Sequence, residues 1–282
     1  MITPTFRGQA HLEACLKSVA DQQCERVEHI VVDGGSTDGT VELLQEWQQR
    51  LGEHRLRFVS EPDGGQSEAM NKGIALARGE LLGFLNADDY YAPGAFDAVL
   101  DACRDCQHPA FVVGQCVVVD AAGDELWHTE SDLSKLDLLE RKFPVNPVCY
   151  FYSKSLHDQL GGYESDDHLA MDLEWLFRIV DHVHVTPIQK RLGTFVMHEA
   201  SKTACGLLDG RTDAAADRVV QRYRRQLPLG QRWQWLCRRA QRECARQIKL
   251  VYTHLRHPRM ILGLVRNKLL GSTTANRGNR GG

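Results

Sequence analysis

The feature that most restricts this chain is an alternation in its N-terminal third. Short apolar runs alternate with stretches of helical period, and every run stops in polar or acidic residues. Met1-Ile2 leads into Thr3-Pro4-Thr5, and His29-Ile30-Val31-Val32 stops at Asp33. Leu56 to Ser60 ends at Glu61-Pro62-Asp63-Gly64-Gly65, and Leu81-Leu82-Gly83-Phe84-Leu85 ends in Asn86-Ala87-Asp88-Asp89. Between the runs, apolar residues recur at helical spacing: Leu12, Cys15, Leu16 and Val19; Val41, Leu44 and Leu51; Met70, Ile74 and Ala77. Gly34 to Gly39 reads as a turn before the second helix, Ser67 as the cap of the third, and Gly79 as its end. The order β-α-β-α-β-α-β predicts an α/β fold: a Rossmann-like, mostly parallel sheet with helices on both faces. Ligands of open α/β sheets bind beyond the carboxyl ends of the strands. The four polar strand ends are therefore expected to face one crevice.

Asp88-Asp89 makes that crevice chemically specific. Desolvating neighbouring carboxylates is costly, so water or a cation belongs beside them. Asn86 and Asp88 share one side of an extended chain. Magnesium and manganese bind through one or two carboxylates plus substrate phosphates and water. Acids at a crevice mouth without a full ligand set suggest a metal–diphosphate ligand; the blander reading is a solvated turn before the helix at Pro93. Asp33 suits either a hydrogen bond to a base or ribose, or a cap on the following helix. Asn71 and Lys72 suit a phosphate or base, although Lys72 also reads as a surface charge.

Further on, the spacing predicts a helix from Pro93 to Cys106 and a strand from Phe111 to Val119. Residues 131–152 read as irregular, with prolines at 144 and 147. A helix is predicted from His168 to Val180, then short strands over Val183–Ile188 and Leu192–Met197. On that helix Leu169, Leu173, Leu176 and Val180 face inward, with Asp172 at the edge of the stripe and Asp167 and Glu174 pointing away. A half-buried carboxylate there suits a general base, or alternatively a cap or a partner for Arg178.

Four segments taken together resemble the family 2 inverting glycosyltransferases of GT-A fold: "ITPTFRGQAHLEACLKSVADQ", "IVVDGGSTDGT", "EPDGGQSEAMNKGIALARGELLGFLNADD" and "MDLEWLFRI". The resemblance spans residues 1–205, with a nucleotide-binding half over about 1–120 and an acceptor half over about 121–205. It implies that Thr3, Pro4, Thr5, Asp33, Asp63, Asn71 and Lys72 line a nucleotide pocket, with Asp33 on the base. It places Asn86-Ala87-Asp88 on the DxD motif, with Asp88 on Mg2+ or Mn2+ and His198 near the metal or diphosphate. Asp172 becomes the general base, and residues Asn146 to Phe151 with Tyr163 supply acceptor contacts, unless those aromatics are core. The implied reaction moves a sugar from a nucleotide diphospho-sugar, a UDP-sugar favoured, to an acceptor hydroxyl on a glycan or lipid-linked molecule. The implied setting is envelope or exopolysaccharide assembly. Asn86 stands where the motif has its first Asp, Met171 where an acid often precedes the base, and the first strand is short. The QxxRW motif of processive synthases is absent, which favours single addition. Two rivals remain: a nucleotidyltransferase-like enzyme on the same sheet, and a non-catalytic relative that binds nucleotide or membrane.

Charge is unevenly spread. The 282 residues carry 34 Lys and Arg against 37 Asp and Glu. From Arg211 onward there are 17 basic residues and 3 acids, a balance of +14, which leaves −17 for residues 1–210. Residues 206–282 thus read as a basic helical extension. Within it Leu236, Ala240, Cys244, Ile248, Val251 and Leu255 recur at helical spacing, Trp233 and Trp235 precede them, and Met260 to Leu269 continues the apolar pattern. Such a segment suits either an anionic membrane surface or docking on the acidic body. Nucleic acid is not an expected partner, since no recognised module is present. The nine cysteines follow no secretory signal and read as reduced thiols, Cys103-x-x-Cys106 included. No apolar run reaches the roughly 20 residues of a membrane span. The expected location is the cytoplasm, with the inner face of the plasma membrane as a peripheral site.

Overall fold

The computed structural model describes residues 1–256 apart from 105, 107, 130–132, 145, 166–168, 200, 202–205 and 207–208. The chain divides into two compact units, Met1–Arg225 and Gln226–Gly282.

The first unit begins with β1 (Ile2–Thr5), α1 (Gln9–Ala20), β2 (His29–Asp33), α2 (Thr40–Leu51), β3 (Leu56–Ser60) and α3 (Gln66–Leu76). The three strands form a parallel sheet in the order β1-β2-β3. Register sets Thr5 opposite Asp33 and Asp33 opposite Ser60, so the strand ends lie level. Although short, β1 is fully paired with β2. Burial explains why it holds: Ile2, Ile30, Val31 and Val32 are all at most 1% exposed. α3 lies close against β1, since a Cβ on Gly73 would come 2.4 Å from Cγ2 of Ile2. Ser67 does not cap this helix; the N-cap is Gly65. The Ser67 hydroxyl is buried instead and donates to the Met171 sulfur at 2.8 Å.

The fourth apolar run departs from a simple parallel sheet. β4 (Leu81–Gly83) touches β1 through one parallel bridge, Ile2 to Phe84, and through the Leu85 N–H on the Ile2 carbonyl at 3.0 Å. Its other edge pairs antiparallel with β8 (Tyr150–Ser153). The second sheet runs β4-β8-β6-β9-β5, with β5 (Tyr90–Tyr91), β6 (Ala110–Asp120) and β9 (His184–Met197). β7 (Glu125–His128) pairs with β6 at the margin. β6 and β9 are parallel, and the remaining pairings here are antiparallel.

Two expectations fail locally. β8 was hidden in the stretch read as irregular, because Tyr150, Phe151 and Tyr152 are all buried and give no alternation. The two short strands expected after residue 182 are one strand, β9, whose middle residues Gln189 to Arg191 are exposed and break the apolar pattern. Short helices α4 (Ala95–Arg104), α5 (Lys135–Leu139) and α6 (Ser155–Leu160) connect the strands.

α7 (Met171–Ile179) and α8 (Arg211–Gln226) close the first unit. Tyr223 stacks on Phe177 with ring centroids 4.4 Å apart, and its hydroxyl donates to Glu174 at 2.8 Å. Glu174 therefore does not point away from the interior. It is 2% exposed and pairs with Arg178 at 2.8 Å and Arg222 at 3.1 Å, because α8 covers that face. α8, expected to belong to the basic extension, packs here on the body. The second unit holds α9 (Leu229–Arg256). The apolar side chains expected at 248, 251, 255 and 260–269 lie outside the described residues. No helix among the described residues is long and apolar enough to cross a membrane.

Candidate active site

A cleft of about 1230 Å³ opens at the carboxyl ends of β1 to β3, where the sequence places its polar residues. One wall is Pro4 to Gly8, Gly34, Asp63 to Gln66 and Asn86 to Asp88; the other includes Asn146, Asp172, Phe195 and His198. Asp88 and Asp172 thus share one cavity.

The β4 continuation delivers the acids. Because Leu85 bonds to Ile2, the segment Asn86–Asp89 emerges beside the end of β1. Asn86 and Asp88 line the cleft, whereas Asp89 is fully buried behind them. Asp89 accepts hydrogen bonds from the Asn86 amide at 2.9 Å, the Asn146 amide at 2.7 Å and the Val196 N–H at 3.0 Å. Burial, and then the Asp88 charge, push its carboxyl up to about 7 against the pull of those three donors. The paired acids therefore divide their work. Asp88 faces the ligand space, and Asp89 ties the β4 loop to β9 and to the residues before β8.

Asp88 meets His198 at 3.0 Å from Oδ2 to Nε2, and His198 stacks on His11 with centroids 4.8 Å apart. One carboxylate and one imidazole at an open cleft suit a divalent cation that completes its shell from substrate phosphate and water. Among the described residues no group of three or more His, Cys, Asp or Glu forms a closed cage. Asp172 is half-buried in the first turn of α7, whose start is fixed by the Ser67–Met171 contact. Arg178, considered as its partner, instead serves Glu174.

Several predicted residues sit beside the cleft rather than in it. Thr3 is buried and bonds His29 at 2.8 Å, since alternation along β1 turns it into the sheet's packed face. Asp33 is fully buried; its oxygens accept from the Ser36 N–H at 2.9 Å, the Ser60 hydroxyl at 2.6 Å, and the Ser36 hydroxyl. It shapes the Gly34 loop that forms the wall. Asn71 clamps the backbone of Tyr163 through two bonds of 2.8 and 2.9 Å. Lys72 pairs with Glu61 and Glu68 at 3.0 and 3.1 Å and so braces the loop carrying Asp63. Pro4, Thr5 and Asp63 do line the cleft. Of the aromatics considered for an acceptor, Tyr150, Phe151 and Tyr163 are core, at most 4% exposed. Asn146 and Pro147 alone of the Asn146–Phe151 stretch reach the cavity.

The sequence reading also missed contributors. His11, Gln66 and Arg141 line the cleft. Gln66 donates to Asn86 at 3.1 Å, and Arg141 is anchored to Asp213 of α8 at 2.6 Å. A lone helical histidine and a loop arginine carry no motif, so only the fold assembles them.

Comparison with known proteins agrees with this geometry. The family model described as Glycosyl transferase family 2 matches residues 1–159. A PGL/p-HBAD biosynthesis glycosyltransferase of Mycobacterium bovis is 34% identical over 182 residues, covering 64% of this chain and 67% of that protein. Among solved structures, S. aureus TarS 1–349 in complex with UDP-GlcNAc superposes with a TM-score of 0.60 at 17% identity, over 72% of this chain and 59% of that one. The mannosyltransferase PcManGT from Pyrobaculum calidifontis, in complex with GDP-Man and Mn2+, gives 0.56 at 21% identity, over 77% of this chain and 63% of that one. These likenesses extend to the fold, a GT-A arrangement.

Proposed function

This chain belongs to glycosyl transferase family 2, and from that premise we propose that it transfers a sugar with inversion from a UDP-linked donor to an acceptor hydroxyl. The setting we propose is cell-envelope or exopolysaccharide assembly; a relative named as a PGL/p-HBAD biosynthesis glycosyltransferase supports a biosynthetic role. The observation that carries the reading is that Asp88 and Asp172 line one cleft at the strand ends.

The donor wall suits a nucleotide diphosphate. Phe6 is 61% exposed beside Gly34 and offers its ring to the base. The N-terminus of α3 opens on the cleft at Gly64 to Gln66, where backbone amides favour an anion. Asp88 and His198 are the residues that would hold Mg2+ or Mn2+, and a bound cation there offsets the charge of the leaving diphosphate. Asp172 takes the proton of the acceptor hydroxyl. The freed oxygen attacks the anomeric carbon, and the bond to the diphosphate breaks with its electron pair leaving on UDP. A donor held across one face of the cleft and attacked from the other gives inversion. UDP is favoured by the TarS complex; the PcManGT complex makes GDP the competing outcome. The basic second unit is proposed to meet an anionic membrane surface, where a lipid-linked acceptor would be found.

A donor panel tests this reading. UDP-, GDP- and dTDP-sugars are incubated with Mn2+, and released nucleotide is followed for the wild type and Asp88→Ala. Nucleotide release from one donor class, lost in the variant, is expected. No binding or cleavage of any sugar nucleotide would remove the enzymatic reading and leave a non-catalytic relative.

A further inference from the structure

Beyond the donor wall the cleft continues over a face of the second sheet. Cross-strand register aligns Phe195 of β9 with Val118 of β6, and Val118 with Trp127 of β7. Residues directly opposite in neighbouring strands share a face, so these three form one row across the sheet. Phe195 and Trp127 both line the cleft, as does Met197, two residues along β9 and hence on the same face. The row ends at the sheet margin, at β7.

At that margin the structure keeps a large apolar side chain in water. Trp127 is 45% exposed, although the aromatic residues of β8 are all buried. The register of β7 explains how. Val118 opposes Trp127 and Val119 opposes Glu125, so Leu126 is an extra residue in a β-bulge. Bulges re-aim neighbouring side chains and recur beside active sites. Arg141 and Phe143 line the same cavity, and Arg141 is held by Asp213 of α8.

We propose that Trp127 is an acceptor-side stacking platform, which takes the flat face of a ring in the acceptor while Asp172 faces the hydroxyl. This rests on the transferase reading above. A tryptophan ring offers a broad apolar surface at low conformational cost, and binding energy concentrates on such residues. A pyranose presents a flat C–H face and an aryl group a flat π face, so either ring source fits the same chemistry. The core aromatics of β8 cannot serve, being covered on both sides.

The test uses the full chain loaded with UDP and Mn2+, and as probes methyl and phenyl glycosides of common hexoses together with simple phenols. Equilibrium dissociation constants of these probes are compared for wild type, Trp127→Ala and Trp127→Phe. A rise of roughly 10- to 30-fold for the alanine variant is expected, with the phenylalanine variant within a few-fold of wild type and UDP affinity unaltered in both. Sensitivity confined to phenyl probes identifies an aryl ring; sensitivity shared by methyl glycosides identifies a sugar ring. An alanine variant matching wild type on every probe, or the absence of binding by any ring-bearing probe to UDP-loaded enzyme, overturns the proposal. Failure of the wild type to bind UDP, GDP or dTDP would instead strike the transferase reading.

Discussion

Asp89 braces the cleft wall from behind rather than lining it. Its three donors need an acceptor, and only a carboxylate offers lone pairs on both oxygens. Asp89→Asn would turn an amide N–H toward at least one of them. The expected cost is about 1–3 kcal/mol in folding stability, read by urea denaturation, together with weaker UDP binding as the β4 loop loosens. Unchanged stability and unchanged binding would contradict the assigned role. Asn86 and Asp88 do reach the cleft, but not by alternation: a turn closed by the Asp89 N–H on the Asn86 carbonyl at 3.1 Å brings Ala87 to the cleft as well. Asp89's partners come from 57 and 107 residues away, at Asn146 and Val196, and no local pattern announces them. The same limit applies to Asn71, whose partner Tyr163 lies 92 residues away.

At the level of elements, β1, β2 and β3 with their helices were readable because each strand buries a short apolar run and ends in a turn. β8 was not, since a strand packed on both faces loses its period of two. Glu174 was misjudged because helical spacing on α7 knows nothing of α8, which arrives to cover that side with Tyr223 and Arg222. The join between β1 and β2 also carries a pH signature. His29 starts β2, bonds Thr3 of β1 and is buried, which pushes its imidazole down to about 3. In the unfolded chain the imidazole takes its proton near pH 6.5. Between those values the unfolded state binds the extra proton, so folding stability from this residue is lost as pH falls. The loss is about 1.4 kcal/mol per pH unit. Asp89, held up, works in the opposite sense between about 4 and about 7, so the wild type shows only a difference. His29→Asn isolates one contribution. Its deficit relative to wild type is expected to shrink as pH drops from 6.5 to 4.5, measured by denaturation at each pH; a constant deficit would contradict the assignment.

At the scale of the whole molecule, the cleft belongs to the first unit and the basic residues gather in the second. Leu229, Trp233, Leu236 and Ala240 recur on one face of α9, with most of its arginines away from that stripe. Vesicle flotation of the full chain is expected to show binding to anionic but not zwitterionic lipid, weakening with salt; flotation with neither lipid would remove the membrane role, and equal flotation with both would remove its electrostatic basis. The central claim, however, is that the two acids of the cleft have separate tasks. It is tested most directly by Asp172→Asn with donor and acceptor at saturation. The account predicts kcat lowered by about 10²- to 10⁴-fold with donor affinity that of the wild type. Turnover at the wild-type rate would contradict it.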